Sequence, residues 1–160
     1  MNTGILIRPL RPGDEEALHA FFTGLSDEAA RMRFAGGGLP KRSKIEEFTH
    51  SDQRSRVHLI AVTGDSGELI GHGMYVVSPS DSTEADAGCA VADGWRRQGV
   101  GSALFESMAA QAYSQGVRRF TAQVEAANRP MNAWLERHGA TRLGTEMGQT
   151  DWVLGLNEPV

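Results

Sequence analysis

Between residues 85 and 112 three kinds of sequence follow one another without a break. An apolar run over 85–91 has the length of a strand, and a turn carrying Arg96, Arg97, Gly99 and Gly101 comes next. After it Val100, Ala103, Leu104, Met108 and Ala112 recur at helical spacing until Gly116 supplies a stop. A strand feeding directly into an amphipathic helix needs a sheet on which that helix can bury its stripe. This segment therefore predicts an α/β layer.

The flanking sequence extends that layer in both directions. Ile5-Leu6-Ile7 predicts a short strand, broken by Pro9, Pro12 and Gly13. Asp14 is the expected N-cap of a helix bearing Ala17, Leu18, Phe21, Phe22 and Leu25. A second helical pattern runs from Ser26 through Ala29 and Ala30 toward Phe34 and ends at Gly36-Gly37-Gly38, read as a flexible loop. A short charged helix follows near 43–48. Apolar runs at 57–63 and 69–77, joined by Gly64-Asp65-Ser66-Gly67, predict a hairpin, and a polar loop over 79–83 leads to the 85–91 strand. Beyond Gly116 come a strand at 119–124, a helix at 131–137 ended by Gly139, and a final hairpin over 141–156 turning near Gly148. No boundary interrupts this order. The expectation is a single α/β domain over residues 1–160, with a mixed, mostly antiparallel sheet of about seven strands flanked by helices.

Composition narrows the function classes. The chain has 160 residues, enough to bury a core unaided, with 40% hydrophobic and 22% charged residues. Its net charge of -4 and the lack of any Lys/Arg run longer than two argue against nucleic acid as a partner. A single cysteine, Cys89, excludes an internal disulfide and a cysteine-based zinc site. The five histidines show no i, i+4 pair, so no metal is expected. No apolar stretch reaches the length of a signal sequence or a membrane span, and the expected location is cytoplasmic.

If an acidic chain binds an anion, it must do so locally. At the turn, the start of the helix offers free amides and the positive end of the helix dipole. Glycine lets oxygens approach the amides of Gln98, Gly99, Val100, Gly101 and Ser102, and Arg96 and Arg97 supply local charge. A P-loop would need a lysine before Ser102, and a dinucleotide fingerprint would need a third glycine where Leu104 stands. The remaining pattern is Arg-x-x-Gly-x-Gly.

That pattern resembles the signature of the GNAT family of N-acetyltransferases, which joins a central strand to the following helix. The resemblance extends to residues 90–95 and 102–104 around the turn, to 5–14 at the start, and to Asn128 with 135–139 near the end. It thus touches almost the whole chain. The opening segment, with Phe21-Phe22, Leu25-Ser26 and Arg33-Phe34, is similar to the acetyltransferase domain of bacterial protein lysine acetyltransferases.

The resemblance implies acetyl-CoA as cosubstrate and a primary amine, on a protein lysine or a small molecule, as acceptor. It implies that the backbone of Cys89, Ala90 and Val91 and the side chain of Asn128 meet the pantetheine arm; by its position, Asn128 is also a candidate helix N-cap. It implies that the acetyl group passes directly to the amine, with a noncatalytic acyl-CoA-binding module as the alternative.

An amine with pKa near 10.4 must lose a proton first, and strand periodicity puts Glu84 and Asp86 on one face for that task, Asp86 nearer the middle. The related protein acetyltransferases carry a glutamate where Asp86 stands. Many family members also place a tyrosine on the late helix as general acid, where this chain has Leu135. Acceptor choice is expected to lie in the loops 23–44 and 79–83. The edge of the C-terminal hairpin is the expected place for pairing in a homodimer.

Overall fold

A computed structural model describes residues 4–26 and 39–158. The Ser26–Phe34 helical pattern beyond residue 26, and the triple glycine, lie outside the described residues. Seven strands form one sheet: β1 (Ile5–Pro9), β2 (Arg56–Thr63), β3 (Leu69–Ser78), β4 (Asp81–Val91), β5 (Arg119–Glu125), β6 (Thr141–Glu146) and β7 (Gln149–Gly155). Their order across the sheet is β1-β2-β3-β4-β5-β7-β6. Among the described residues the helices are α1 (Glu15–Thr23), α2 (Arg42–Thr49), α3 (Val100–Ser114) and α4 (Arg129–Arg137). The expected α/β architecture is the observed one.

Every neighbouring pair of strands is antiparallel except β4 and β5, which α3 joins as a parallel crossover. On one face, Val100, Leu104, Met108 and Ala112 of α3 pack with Val57, Leu59, Ala61, Tyr75, Ala85 and Phe120. On the other, Leu18, Phe21 and Phe22 of α1 and Ile45 of α2 pack with Ile60, Val62 and Leu69. A third small core joins Leu135 of α4 to Val124 and Trp152.

The close seat of α3 is set by two residues of β3 that have no side chain. A Cβ on Gly71 would lie 2.8 Å from Cδ1 of Leu104, and one on Gly73 would overlap the sulfur of Met108. Gly73→Ala is therefore expected to lift the middle of α3 off the sheet at a cost of about 1–3 kcal/mol. That corresponds to a fall in Tm of roughly 2–12 °C for a domain of this size, read by thermal unfolding. An unchanged Tm would mean that α3 sits higher than described.

Two expectations need correction. Asp14 occupies the N-cap position of α1 but makes no side-chain cap. Its carboxylate instead accepts both guanidinium nitrogens of Arg8 at 2.9 Å and the amide of Arg11. The Arg8 hydrogen bonds, the largest influence, hold its pKa below the usual carboxylate range. The loop expected at 79–83 is shorter, because β4 already begins at Asp81. There Oδ1 of Asp81 accepts from the amide and hydroxyl of Thr83, and Arg119 of β5 pairs with the Asp81 carboxylate. Those bonds extend a polar segment that would otherwise have little reason to stay in the sheet.

Candidate functional site

The site is a gap in the sheet with a helix start at its end. β4 and β5 pair only where Glu84, Ala85 and Asp86 face Arg119, Phe120 and Thr121. Beyond that, residues 87–91 keep their pairing to β3, and residues 122–125 keep theirs to β7, while the two strands part from each other. Successive residues of a strand direct their amide and carbonyl groups to alternate edges. The run Cys89, Ala90 and Val91 therefore presents backbone hydrogen-bonding groups to the gap.

Past Val91 the chain passes through a short 3-10 turn at Asp93–Trp95 and enters α3. Arg97 has φ 63° and Gly99 φ 83°, so two left-handed residues flank Gln98 and wrap the chain into the helix start. The second needs glycine for that conformation. No side chain caps α3. The amide of Ala103 is already bonded to the carbonyl of Gly99, while those of Val100, Gly101 and Ser102 precede the first intrahelical acceptor. Gln98 turns its side chain back to the carbonyl of Gly94, 3.2 Å away. Val100 is buried and anchors the turn, while residues 96–99 are exposed. Arg96 stands 3.5 Å from Asp93, whose other oxygen accepts the amide of Ser26 at the end of the α1 segment.

A Cβ on Gly101 would meet only Cγ2 of Val91, at an ordinary 3.6 Å. Nothing among the described residues excludes a side chain there. The glycine leaves a cleared approach to the helix amides, which suits a phosphate-bearing ligand.

Across the gap stands α4. The Asn128 carboxamide oxygen accepts the amide of Met131 at 3.3 Å, so this side chain caps α4 at the rim of the opening. The candidate N-cap is thus the observed one. Trp134 donates its indole N–H to Oγ of Ser102 at 3.3 Å and packs edge-on against Phe105 at 4.9 Å. This bridge ties α4 to the first turns of α3. The sequence around Trp134 suits a packing residue or a groove wall, and no local signal announces the bridge.

The two carboxylates proposed from the sequence share a face but differ in surroundings. Oε1 of Glu84 accepts Nε of Arg119 at 3.0 Å. The same guanidinium reaches Thr83 Oγ1 at 3.2 Å and pairs with Asp81. Arg119 is held above its ordinary pKa, first of all by the Glu84 hydrogen bond. Asp86 is exposed, accepts from the hydroxyl of Thr121 at 3.2 Å, and sits at the last paired position before the gap opens.

Other polar side chains lie elsewhere. Leu135 is buried with Val124 and Trp152. Both tyrosines belong to the far half of α3 and its surroundings: Tyr75 is buried and donates to Gln115 at 2.8 Å, and the Tyr113 ring lies 3.8 Å under the Arg118 guanidinium. Burial pushes the Tyr75 hydroxyl well above the usual phenol range. His72 is fully buried, 3.0 Å from His58 and between Phe22 and Phe48, so it is a core residue. Among the described residues no group of His, Cys, Asp or Glu forms a metal site, and no helix is long and apolar enough to cross a membrane. A separate depression of about 300 Å³, lined by Arg129, Asn132, Glu136, Arg142 and Thr145, lies between α4 and the C-terminal hairpin rather than at the gap.

Comparison with known proteins agrees with this geometry. The profile of the acetyltransferase (GNAT) family matches residues 23–140. Acetyltransferase Pat of Mycolicibacterium smegmatis is 28% identical over 142 residues, which make up 89% of this chain and 43% of that protein. The chain therefore spans less than half the length of that relative. Among solved structures, the GNAT domain of S. lividans PAT is 33% identical, with a TM-score of 0.82 over 94% of this chain and 89% of that one. A cAMP-binding acyltransferase from Mycobacterium smegmatis shares the fold at 24% identity and a TM-score of 0.67, covering 96% of this chain and 44% of that one. The profile covers most of the chain, and the parted strands and the uncapped glycine turn stand inside it: this chain belongs to the acetyltransferase (GNAT) family.

Proposed function

We propose that this domain is an N-acetyltransferase that uses acetyl-CoA and passes the acetyl group directly to a primary amine. The observation that carries the reading is the coincidence of three features at one place. β4 parts from β5, α3 starts uncapped at the wide end of that gap, and Asp86 stands at its narrow end. Family membership supplies the reaction class.

In this reading the amides of Gly99, Val100, Gly101 and Ser102, with Arg96, Arg97 and Gln98 beside them, hold the pyrophosphate. The free edge of Cys89, Ala90 and Val91 pairs with the amide groups of the pantetheine arm, and Asn128 closes the arm from the α4 side. The thioester then lies between β4 and β5, and the amine approaches over the opposite face of the sheet. Its nitrogen attacks the thioester carbonyl, a C–N bond forms, and the C–S bond breaks. Asp86, directly or through a water, takes the proton, and solvent returns one to the departing thiolate.

Deprotonating a lysine-like amine at pH 7 costs about 4.6 kcal/mol from its solution pKa, which is the reason a carboxylate is needed nearby. Asp86 stands at the mouth of the gap, whereas Glu84 is already committed to an ion pair with Arg119. Its place is to hold β4 to β5 where the gap begins. The similarity of the opening segment, with Phe21-Phe22 and Leu25-Ser26, to bacterial protein lysine acetyltransferases favours an amine on a protein lysine over one on a small molecule.

The decisive experiment is release of free CoA from acetyl-CoA in the presence of a panel of amines and lysine peptides. Turnover with at least one acceptor is expected. Binding of acetyl-CoA without turnover on any acceptor would instead make the domain a noncatalytic acyl-CoA-binding module.

A further inference from the structure

Among the described residues, the face of the sheet on which the acceptor arrives is only partly covered. α1 and α2 pack over its β2–β3 half. Ala85, Phe120, Ala122, Val124 and Trp152 point to the other face, into the cores under α3 and α4. By strand alternation Asp86, Thr121, Gln123, Asp151 and Val153 share the open face. The register puts Asp86 opposite Thr121 and Thr121 opposite Val153, and sets Gln123 opposite Asp151 one step further along. Gln123 is the first outward residue of β5 beyond the point where β4 leaves it. Its carboxamide nitrogen donates to Oδ1 of Asp151 at 3.3 Å.

Asp151 is exposed. Its hydrogen-bond partner Gln123 is neutral and orients the carboxylate without cancelling its charge. Arg119, which shares this face of β5, is already engaged by both Asp81 and Glu84. Two strand spacings of about 4.8 Å and two residues of about 3.4 Å put the Cα atoms of Asp86 and Asp151 about 12 Å apart, on opposite sides of the gap mouth. Thr121 and Gln123 of β5 lie between them, with the half-buried Val153 next to Thr121 on β7.

We propose that Asp151, oriented by Gln123, is a specificity residue that selects acceptors carrying a second positive charge beyond the reacting amine. This rests on the acyl-transfer reading above and adds a residue to it. The reacting nitrogen lies near Asp86, a hydrocarbon stem crosses β5 past the Thr121 methyl group and Val153, and the distant ammonium or guanidinium sits against Asp151. An exposed charge pair of this kind is worth a few-fold in affinity and weakens with salt.

The test compares straight-chain monoamines with α,ω-diamines of matched length over a range of lengths, read as CoA release from acetyl-CoA. At low ionic strength the best diamine is expected to exceed its matched monoamine by about fivefold in kcat/KM, chiefly through KM. Counted per reactive nitrogen, since a symmetric diamine offers two, that ratio falls toward one in Asp151→Asn and at about 0.5 M salt, where the Debye length is on the order of a few ångströms, and it survives in Asp151→Glu. Because the ratio is taken on one protein sample, partial misfolding of a variant cancels. A wild-type ratio of one, or a ratio unchanged in Asp151→Asn, overturns the role of Asp151 while leaving acyl transfer intact. No CoA release with any amine or lysine peptide overturns the acyl-transfer reading itself, and this assignment with it.

Discussion

Gly101→Val is expected to abolish measurable binding of acetyl-CoA while leaving the fold in place. The position lies in the first turn of α3, where valine is a tolerable helix residue and the new Cβ meets Val91 at an ordinary distance. The protein has room for the change; the phosphates do not. Branched methyl groups would stand where oxygens must come within hydrogen-bonding distance of the amides of Gly101 and Ser102. Each charge-assisted hydrogen bond lost costs about 1.5–3 kcal/mol, so two amount to roughly 10²- to 10⁴-fold in Kd. Gly101→Ala adds the Cβ alone and is expected to give a smaller loss. Calorimetric titration with CoA measures affinity, and thermal unfolding without ligand checks the fold. Wild-type affinity in a folded Gly101→Val protein would remove the turn from the binding site.

That prediction depends on a feature visible in the sequence, and the reasons for its visibility are local. The turn, the helix after it and the 57–77 hairpin are each specified by residues within about a dozen positions of one another, through periodicity and glycine placement. The described Gly99 φ and the uncapped start of α3 follow from the same few residues. The parting of β4 from β5 was not legible from the chain alone, because no residue marks the end of a pairing whose partner lies 35 positions away. Arg119 belongs to the same class. Its clamp on Asp81 and Glu84 converts an expected polar loop into the start of β4, and it ties Glu84 into an ion pair. The Trp134–Ser102 bridge likewise joins residues 32 apart. His58 and His72 are the intermediate case. They occupy diagonal positions of a hairpin whose turn is plain, so their contact was derivable once the register was drawn.

The proposed role of Asp86 as proton acceptor gives the second large effect. Asp86→Asn is expected to lower kcat at neutral pH by about 10² to 10⁴, the range in which a positioned proton acceptor acts, with acetyl-CoA affinity preserved. Asparagine keeps the size of the side chain and can keep a hydrogen bond with Thr121, so β4 and β5 stay joined. What it loses is the capacity to accept the ammonium proton. The deficit should therefore shrink as pH rises toward the acceptor's own pKa near 10.4, where the free amine no longer needs a base. A pH–rate profile of kcat for wild type and variant separates this from a positioning defect, which would lower the rate by a similar factor at every pH. The parallel variant Glu84→Gln weakens the Arg119 clamp, so its expected signature is a lower Tm with a pH profile of wild-type shape. If Asp86→Asn retains full activity and Glu84→Gln instead shows the pH-dependent loss, the proton passes to the carboxylate beside Arg119, and the ion pair must open during the reaction.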